Sequence, residues 1–301
     1  MSNTATITTT HHDLNKNHWE NKVKLMEKSK IFLDFFASDL IQRSIDLYFN
    51  ITTEERNVSI LDLATGTGLV PFKFVDEKIL PDKIKISALD GIDFAASMIE
   101  GAEYKKQSRI EEKQVEFDWD NLKFQVMDGQ ELKFPDESFD IVYSNMGVMF
   151  YPKMVQGLSE IKRVLKKGGM AFVNSWTDDF PNRVSSQALF EVLQQNRPPF
   201  ALQDPKVFEQ RCREAGFEHV EIRQVTQSLK MKYSELQNIF NMGNQFATLV
   251  QKYLKENPQV TSTEKELLDR IDQVSRREFN ISNNDEEIEI ISIANVVILA
   301  K

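Results

Sequence analysis

One cysteine in 301 residues, Cys212, excludes an internal disulfide framework and suits a reducing compartment. Only four histidines accompany it, and two of them, His11 and His12, lie in a polar, Thr-rich start, so no metal site is expected. Positive charge is not in excess either. Lys and Arg number 37 against 46 Asp and Glu, a net charge of −9, so the basic footprint that a phosphate backbone demands is missing and no nucleic-acid partner is expected. Long apolar runs are absent as well. No segment approaches the roughly 18 apolar residues of a spanning helix, and Met1-Ser-Asn-Thr-Ala-Thr6 has neither the charged start nor the apolar stretch of a secretory leader. These absences point to a cytoplasmic chain without a membrane span, acting on a small molecule, with monomer and homodimer both open.

With 41% hydrophobic residues the chain can bury one large core. Helical spacing runs through residues 19–50, where two helices are expected. From there strands and helices alternate: strands at Val58–Leu63, Ile84–Asp90, Leu122–Met127, Phe139–Asn145 and Met170–Ser175, with helices at Gly68–Lys78, 94–107 and Met154–Lys166 between them. Gly168-Gly169 marks the approach to the fifth strand. That alternation implies right-handed crossovers and a mostly parallel, doubly wound sheet. The last third reads as a helix at Asp204–Ala215, an alternating stretch from Val220, helices at 233–256 and 262–279, and a β-rich run at Ile288–Ala300. One domain is the economical organisation: a disordered tail (1–13), an N-terminal helical cap (14–57), a ligand-binding core (58–180), and substrate-side helices with the last strands (181–301).

Chemistry is concentrated where the first strand, Ile60-Leu-Asp-Leu63, runs into Ala-Thr-Gly66-Thr-Gly68. Glycines there let a ligand approach the backbone closely. A phosphate-cradling loop is excluded, since no Gly-Lys-Ser/Thr follows, and Pro71 stands where a dinucleotide oxidoreductase needs a third small residue, which disfavours that class. What fits is a ligand with a ribose and an adenine but no pyrophosphate. Gly66 and Gly68 leave it room, Asp90 at the end of strand 2 is placed for both ribose hydroxyls, and Asp128 after strand 3 is placed for the adenine amino group.

On these residues the chain resembles the class I S-adenosylmethionine-dependent methyltransferases, in the broad group of the ubiquinone/menaquinone methyltransferases. Ile60-Leu-Asp-Leu-Ala-Thr-Gly-Thr-Gly68 is similar to that family's first motif, with Ala64 where many relatives carry a glycine. Met127-Asp128-Gly129 through Phe139-Asp140-Ile-Val resembles the adenine-holding stretch and fourth strand, and Ile161-Lys-Arg-Val-Leu-Lys-Lys-Gly-Gly169 resembles the motif before strand 5. The resemblance implies a seven-stranded, Rossmann-like sheet with an antiparallel last strand and S-adenosyl-L-methionine as cofactor. Asp62, Ala64, Gly66, Gly68, Met127, Asp128, Gly129 and Asn145 would then line the cofactor. The ribose falls first to Asp90, which ends the strand pattern, with Asp93, which fits the family's spacing from acid to Met98, as the alternative. Phe150-Tyr151 stands where many relatives place a histidine, so no general base carries over. Tyr151 and His18 are the candidate proton acceptors, and Trp19, Met146, Met149, Phe150 and Tyr151 the candidate substrate contacts. The expected activity is methyl transfer to a small apolar or aromatic molecule, the alternative being a non-catalytic relative that binds the cofactor as a sensor or scaffold.

Overall fold

The computed structural model describes residues 23–51, 54–112, 115–181, 183–194, 202–240 and 242–301. Helix α1, Val23–Ser44, buries Phe32, Phe36, Ala37, Leu40, Ile41 and Ser44 along one stripe at helical spacing. It widens into a π-helical turn, Ile45–Phe49, that buries Tyr48 and Phe49. Where two helices were expected, residues 23–44 form one, because neither Gly nor Pro interrupts the stripe.

The chain continues through β1 (Arg56–Leu63), α2 (Leu69–Glu77), β2 (Ile84–Asp93), α3 (Ala96–Glu112), β3 (Leu122–Val126), β4 (Phe139–Ser144), α4 (Met154–Val164) and β5 (Leu165–Trp176). After these come α5 (Arg183–Val192), α6 (Pro205–Glu214), β6 (His219–Lys232), α7 (Tyr233–Phe240), α8 (Met242–Glu256), α9 (Glu264–Phe279) and β7 (Glu287–Ala300). The strands form one seven-stranded sheet in the order β3-β2-β1-β4-β5-β7-β6. β1 pairs in parallel with β2 and β4, as do β2 with β3 and β4 with β5, while β7 runs antiparallel to β5. The expected doubly wound, mostly parallel sheet is therefore present. Its order reverses between β1 and β4, and the carboxyl ends of strands at such a switch point open a crevice.

Several boundaries differ from the expectation. β2 does not stop at Asp90: Gly91 and Ile92 keep their pairing with Asp62 and Leu63, and Asp93 keeps its pairing with Val126. β5 starts at Leu165, and Gly168-Gly169 lie in an irregularity of that strand, with Gly168 at φ 75°. Helix α5 has no counterpart in the expectation, because Ser185, Ser186 and Gln187 dilute its apolar spacing, and the segment 233–256 resolves into α7 and α8.

Contacts divide the chain into two compact units. Of the described residues, one comprises those within 178–194 and 226–292, and in it α9 packs on α5 and α8. Its α9 opens on a reciprocal cap between Thr263 and Glu266, and Asp272 accepts from the Tyr233 hydroxyl and the Gln237 amide. The other comprises the described residues within 23–177, 202–225 and 293–301. Its core stacks Tyr143 on Phe172 and packs Phe74 against Tyr143, and α1 sets Phe36 edge-on to Trp176 at 5.1 Å.

At the start of β4, Asp140 accepts from Ser59 N–H (2.9 Å), Lys166 Nζ (2.6 Å), the Tyr48 hydroxyl (3.2 Å) and Arg56 (3.3 Å). Burial alone would raise its carboxyl pKa, but the Lys166, Ser59 and Tyr48 hydrogen bonds and the Lys166 charge outweigh it and hold the group below its ordinary value. A depressed carboxyl stabilises the fold above its unfolded pKa of about 3.9 and loses that contribution as pH falls through the native value. Asp140→Asn is therefore expected to lower stability by about 1–3 kcal/mol at neutral pH in urea unfolding, with the gap to the parent closing in acid below pH ~4. A gap that persists unchanged in acid would show that the charge is not its source.

Candidate functional site

β1 ends on Asp62-Leu63, and the chain then reverses through Ala64, Gly66 and Gly68 into α2. All three take left-handed backbone angles, φ 55°, 57° and 85°. At Gly68 a Cβ would also fall 2.6 Å from Cε2 of Phe72, so both backbone and space demand glycine. The turn is tied to the end of β2. Thr65 N–H donates to the Ile92 carbonyl (2.9 Å), Gly66 N–H donates to Oδ2 of Asp93 (2.9 Å), and Asp93 Oδ1 accepts Ala95 N–H (2.9 Å). Met127 N–H in turn donates to the Asp93 carbonyl (2.9 Å), which brings the end of β3 to the same place.

Asp62, Asp93 and Asp128 thus close three neighbouring strands. Asp62 is 1% exposed, and among the described residues neither of its carboxylate oxygens has a hydrogen-bond partner. Burial pushes its pKa up to about 8, with Asp93 adding to the rise and the Thr65 hydroxyl opposing it. Asp93 is also raised by burial, tempered by the N–H groups of Ala95, Gly66 and Phe94. Burial, and then the charges of Asp93, Asp128 and Asp62, drive the phenol of the half-buried Tyr151 far above its usual pKa. Asp90 lies elsewhere, three residues back in β2. It pairs with Leu61 and Lys123 and takes a long hydrogen bond from Gln125 (3.3 Å).

A cavity of about 250 Å³ opens beside the turn, lined by Asp62, Ala64, Thr65, Gly66 and Asn145 among others, while Asp93 and Asp128 lie outside its lining. Asn145 is locked in place, donating from Nδ2 to the Leu33 carbonyl (3.3 Å) and accepting on Oδ1 from Asn174 (2.9 Å). Asn174 Oδ1 also takes the N–H of Met146 (2.6 Å), a residue held at φ 59°. The loop after β4 presses on the glycine turn: a Cβ at Gly147 would sit 2.6 Å from that of Ala64. Met146 and Met149 are buried and Phe150 is half-buried, while His18 and Trp19 lie outside the described residues.

Gly147 was missed from the sequence, and so was Lys105. Lys105 Nζ donates to Thr67 Oγ1 (2.8 Å) and lines the cavity, although α3 brings it from 38 residues away and no local pattern marks it. Among the described residues no cluster of three or more ligating side chains could hold a metal ion, and no helix is long and apolar enough to cross a membrane.

The cavity's lining carries both signs, Lys73, Lys105 and Arg109 beside Asp76 and Glu77, and within it the unpartnered Asp62 carboxylate fits a cationic group, while carboxylates closing β2 and β3 fit hydroxyl and amino donors. In the unliganded chain the buried Asp62 charge is unfavourable. Because its native pKa is raised, the folded state holds the extra proton between pH ~4 and ~8, and stability falls as pH climbs through that window. Asp62→Asn is expected to gain on the parent by a few kcal/mol, roughly, across that window and to level off above it, as read by urea unfolding at stepped pH. A pH-independent difference would remove the buried-charge account.

The methyltransferase domain family matches residues 61–173, from the end of β1 through β5. The chain is 29% identical over 147 residues to the demethylmenaquinone methyltransferase of Chlorobaculum parvum, covering 46% of this chain and 53% of that protein. It is 33% identical over 126 residues to the phosphatidylethanolamine N-methyltransferase of Cereibacter sphaeroides (41% and 54%). It is 32% identical over 117 residues to the ubiquinone/menaquinone biosynthesis C-methyltransferase of Geotalea daltonii (39% and 45%). The chain thus spans about half the length of the relatives it matches. Two solved structures share the fold. A candidate methyltransferase of Bacillus halodurans has a TM-score of 0.53 at 17% identity, over 87% of this chain and 97% of that one. The N-methyltransferase 2 of Haemonchus contortus, solved with phosphomonomethylethanolamine and S-adenosylhomocysteine, has a TM-score of 0.52 at 15% identity, over 96% and 61%. Residues 61–173 thus match the methyltransferase domain family, and the strand order around them is the fold of solved methyltransferases, similar to the class I S-adenosylmethionine-dependent group that includes the ubiquinone/menaquinone enzymes.

Proposed function

We propose that this chain, working as a single cytoplasmic methyltransferase domain, transfers the methyl group of S-adenosyl-L-methionine to a small apolar or aromatic molecule. The observation that carries this is the unpartnered Asp62 carboxylate buried at the glycine turn, with Asp93 and Asp128 closing the next two strands. Asp62 and the cavity lined by Ala64 and Gly66 would receive the ammonium end of the cofactor, with Gly68 closing the turn behind them and Asn145 as a fixed wall. Asp93, at the end of β2, takes the ribose hydroxyls in preference to Asp90, and Asp128 takes the adenine amino group between Met127 and Gly129. Phe94 and Val126, 45% and 50% exposed, offer apolar surface beside these acids.

When bound, the cofactor supplies a methyl group already made electrophilic by its sulfonium. The chain's own task is to hold an acceptor in line and keep water out, an effect worth roughly 7–11 kcal/mol. Tyr151, with its phenol pKa far above the usual value, stays protonated at neutral pH and can donate a hydrogen bond rather than take a proton. Met146, Met149 and Phe150 offer an apolar lining for the acceptor, and relatives named for demethylmenaquinone and phosphatidylethanolamine support an apolar partner. The want of a base at Phe150-Tyr151 leaves one rival, a cofactor-binding sensor or scaffold.

Calorimetry is expected to show binding of S-adenosylmethionine and S-adenosylhomocysteine at micromolar-class affinity. Asp93→Ala and Asp128→Ala should each weaken it by roughly 10- to 100-fold, with the far-ultraviolet spectrum unchanged. No binding by the folded chain would defeat the proposal. Binding without transfer of labelled methyl to any extract fraction would favour the sensor.

A further inference from the structure

Asp128 sits on the loop after β3, and its carboxylate is not at liberty to turn. The main-chain N–H of Gln130 donates to Oδ1 at 2.8 Å, and the side-chain Nε2 of the same residue reaches Oδ1 at 3.1 Å and Oδ2 at 3.4 Å. The other end of that amide is anchored too. Its Oε1 accepts the main-chain N–H of Lys153, the residue before α4, at 2.6 Å, and the Gln130 carbonyl accepts Nε2 of Gln156 in the first turn of α4 at 2.7 Å. The amide therefore has one workable orientation. Reversed, it would turn its oxygen to a carboxylate and its NH₂ to an N–H donor, losing both bonds.

Packing holds the same unit together. The ring of Tyr151 lies between Gly129 and Gly157: a Cβ at Gly129 would run into the phenol oxygen, and one at Gly157 into Cδ2 of the ring. Glycine inside a helix is unfavourable, and in α4 it is the ring that occupies the space. The start of α4 and the Asp128 loop thus form one body. Within it the two shorter bonds load Oδ1, whereas Oδ2 receives only the 3.4 Å contact and keeps lone pairs for a further donor.

We infer that Gln130 is a specificity-determining positioning residue: by engaging Oδ1 of Asp128 and leaving Oδ2 open to a further donor, it makes the site prefer adenine over a base that lacks the exocyclic amino group. This rests on the cofactor reading proposed above. Gln130 itself touches no reacting atom. It acts through Asp128, and what it governs is discrimination between bases, not affinity in general.

The test measures dissociation constants for S-adenosylhomocysteine and S-inosylhomocysteine, whose base carries a carbonyl in place of the amino group. Calorimetry would compare the parent chain, Gln130→Ala and Gln130→Glu. Glutamate keeps the acceptor for Lys153 N–H but loses the donor and sets a second negative charge beside Asp128, so it reports even if the alanine variant folds poorly. The parent should prefer the adenosyl compound by roughly tenfold or more, and the preference should collapse toward unity in the variants. Variants that weaken both compounds equally and keep the parent's preference would overturn the role of Gln130 while leaving the cofactor reading intact. A parent that binds both equally would also overturn it. A parent that binds neither would take the cofactor reading down as well.

Discussion

The site hangs on the carboxylate of Asp93. Parallel pairing brings neighbouring strand ends to within about 5 Å of each other, but it says nothing about where the loops beyond them go. Asp93 settles that: one oxygen receives the N–H of Gly66 in the turn after β1, the other receives the N–H of Ala95 ahead of α3, and its own carbonyl receives Met127 from the end of β3. Three loops that the sheet alone would leave independent are joined at one residue. The glycine angles at 66 and 68 become useful only because the turn is then pinned in that shape.

Charge is handled in opposite ways at the two ends of the sheet. Asp140, at the start of β4, is surrounded by Lys166, Arg56, Tyr48 and a main-chain N–H, and its carboxyl lies below the ordinary range. Asp62, at the end of β1, has no such company, and burial drives it the other way. One aspartate is satisfied by the protein itself and serves the fold. The other is left unsatisfied where a ligand would arrive, which is how stability is commonly given up for function.

Much of this was legible in advance, and the reason is physical. The alternation of strands and helices, the glycine turn and acids after apolar runs all have short-range signals, so a doubly wound, mostly parallel sheet and a glycine turn at the end of its first strand could be read from residues alone. The end of β2 was read three residues early because Asp90 ends a clean alternation, and only pairing with both neighbours carries the strand on to Asp93. Lys105, Gly147 and the grip of Gln130 on Asp128 depend on contacts made by distant segments. Helix α5 escaped for a different reason, its polar residues blurring the apolar stripe.

Ala64 and Gly147 share a single parcel of volume. The glycine turn and the loop after β4 meet so closely that one methyl group fills the gap, and here it belongs to position 64, at the expense of a left-handed backbone there. Moving the methyl to 147 and leaving glycine at 64 would relax that dihedral but bring the new Cβ to 2.8 Å from Oγ of Ser144, which would have to turn aside, whereas alanine at both places overfills the gap. Any side chain at 147 is thus limited by three groups at once, the methyl of Ala64, the hydroxyl of Ser144 and the Leu63 carbonyl, which ties strand ends 83 residues apart in sequence (64 to 147) to one small volume.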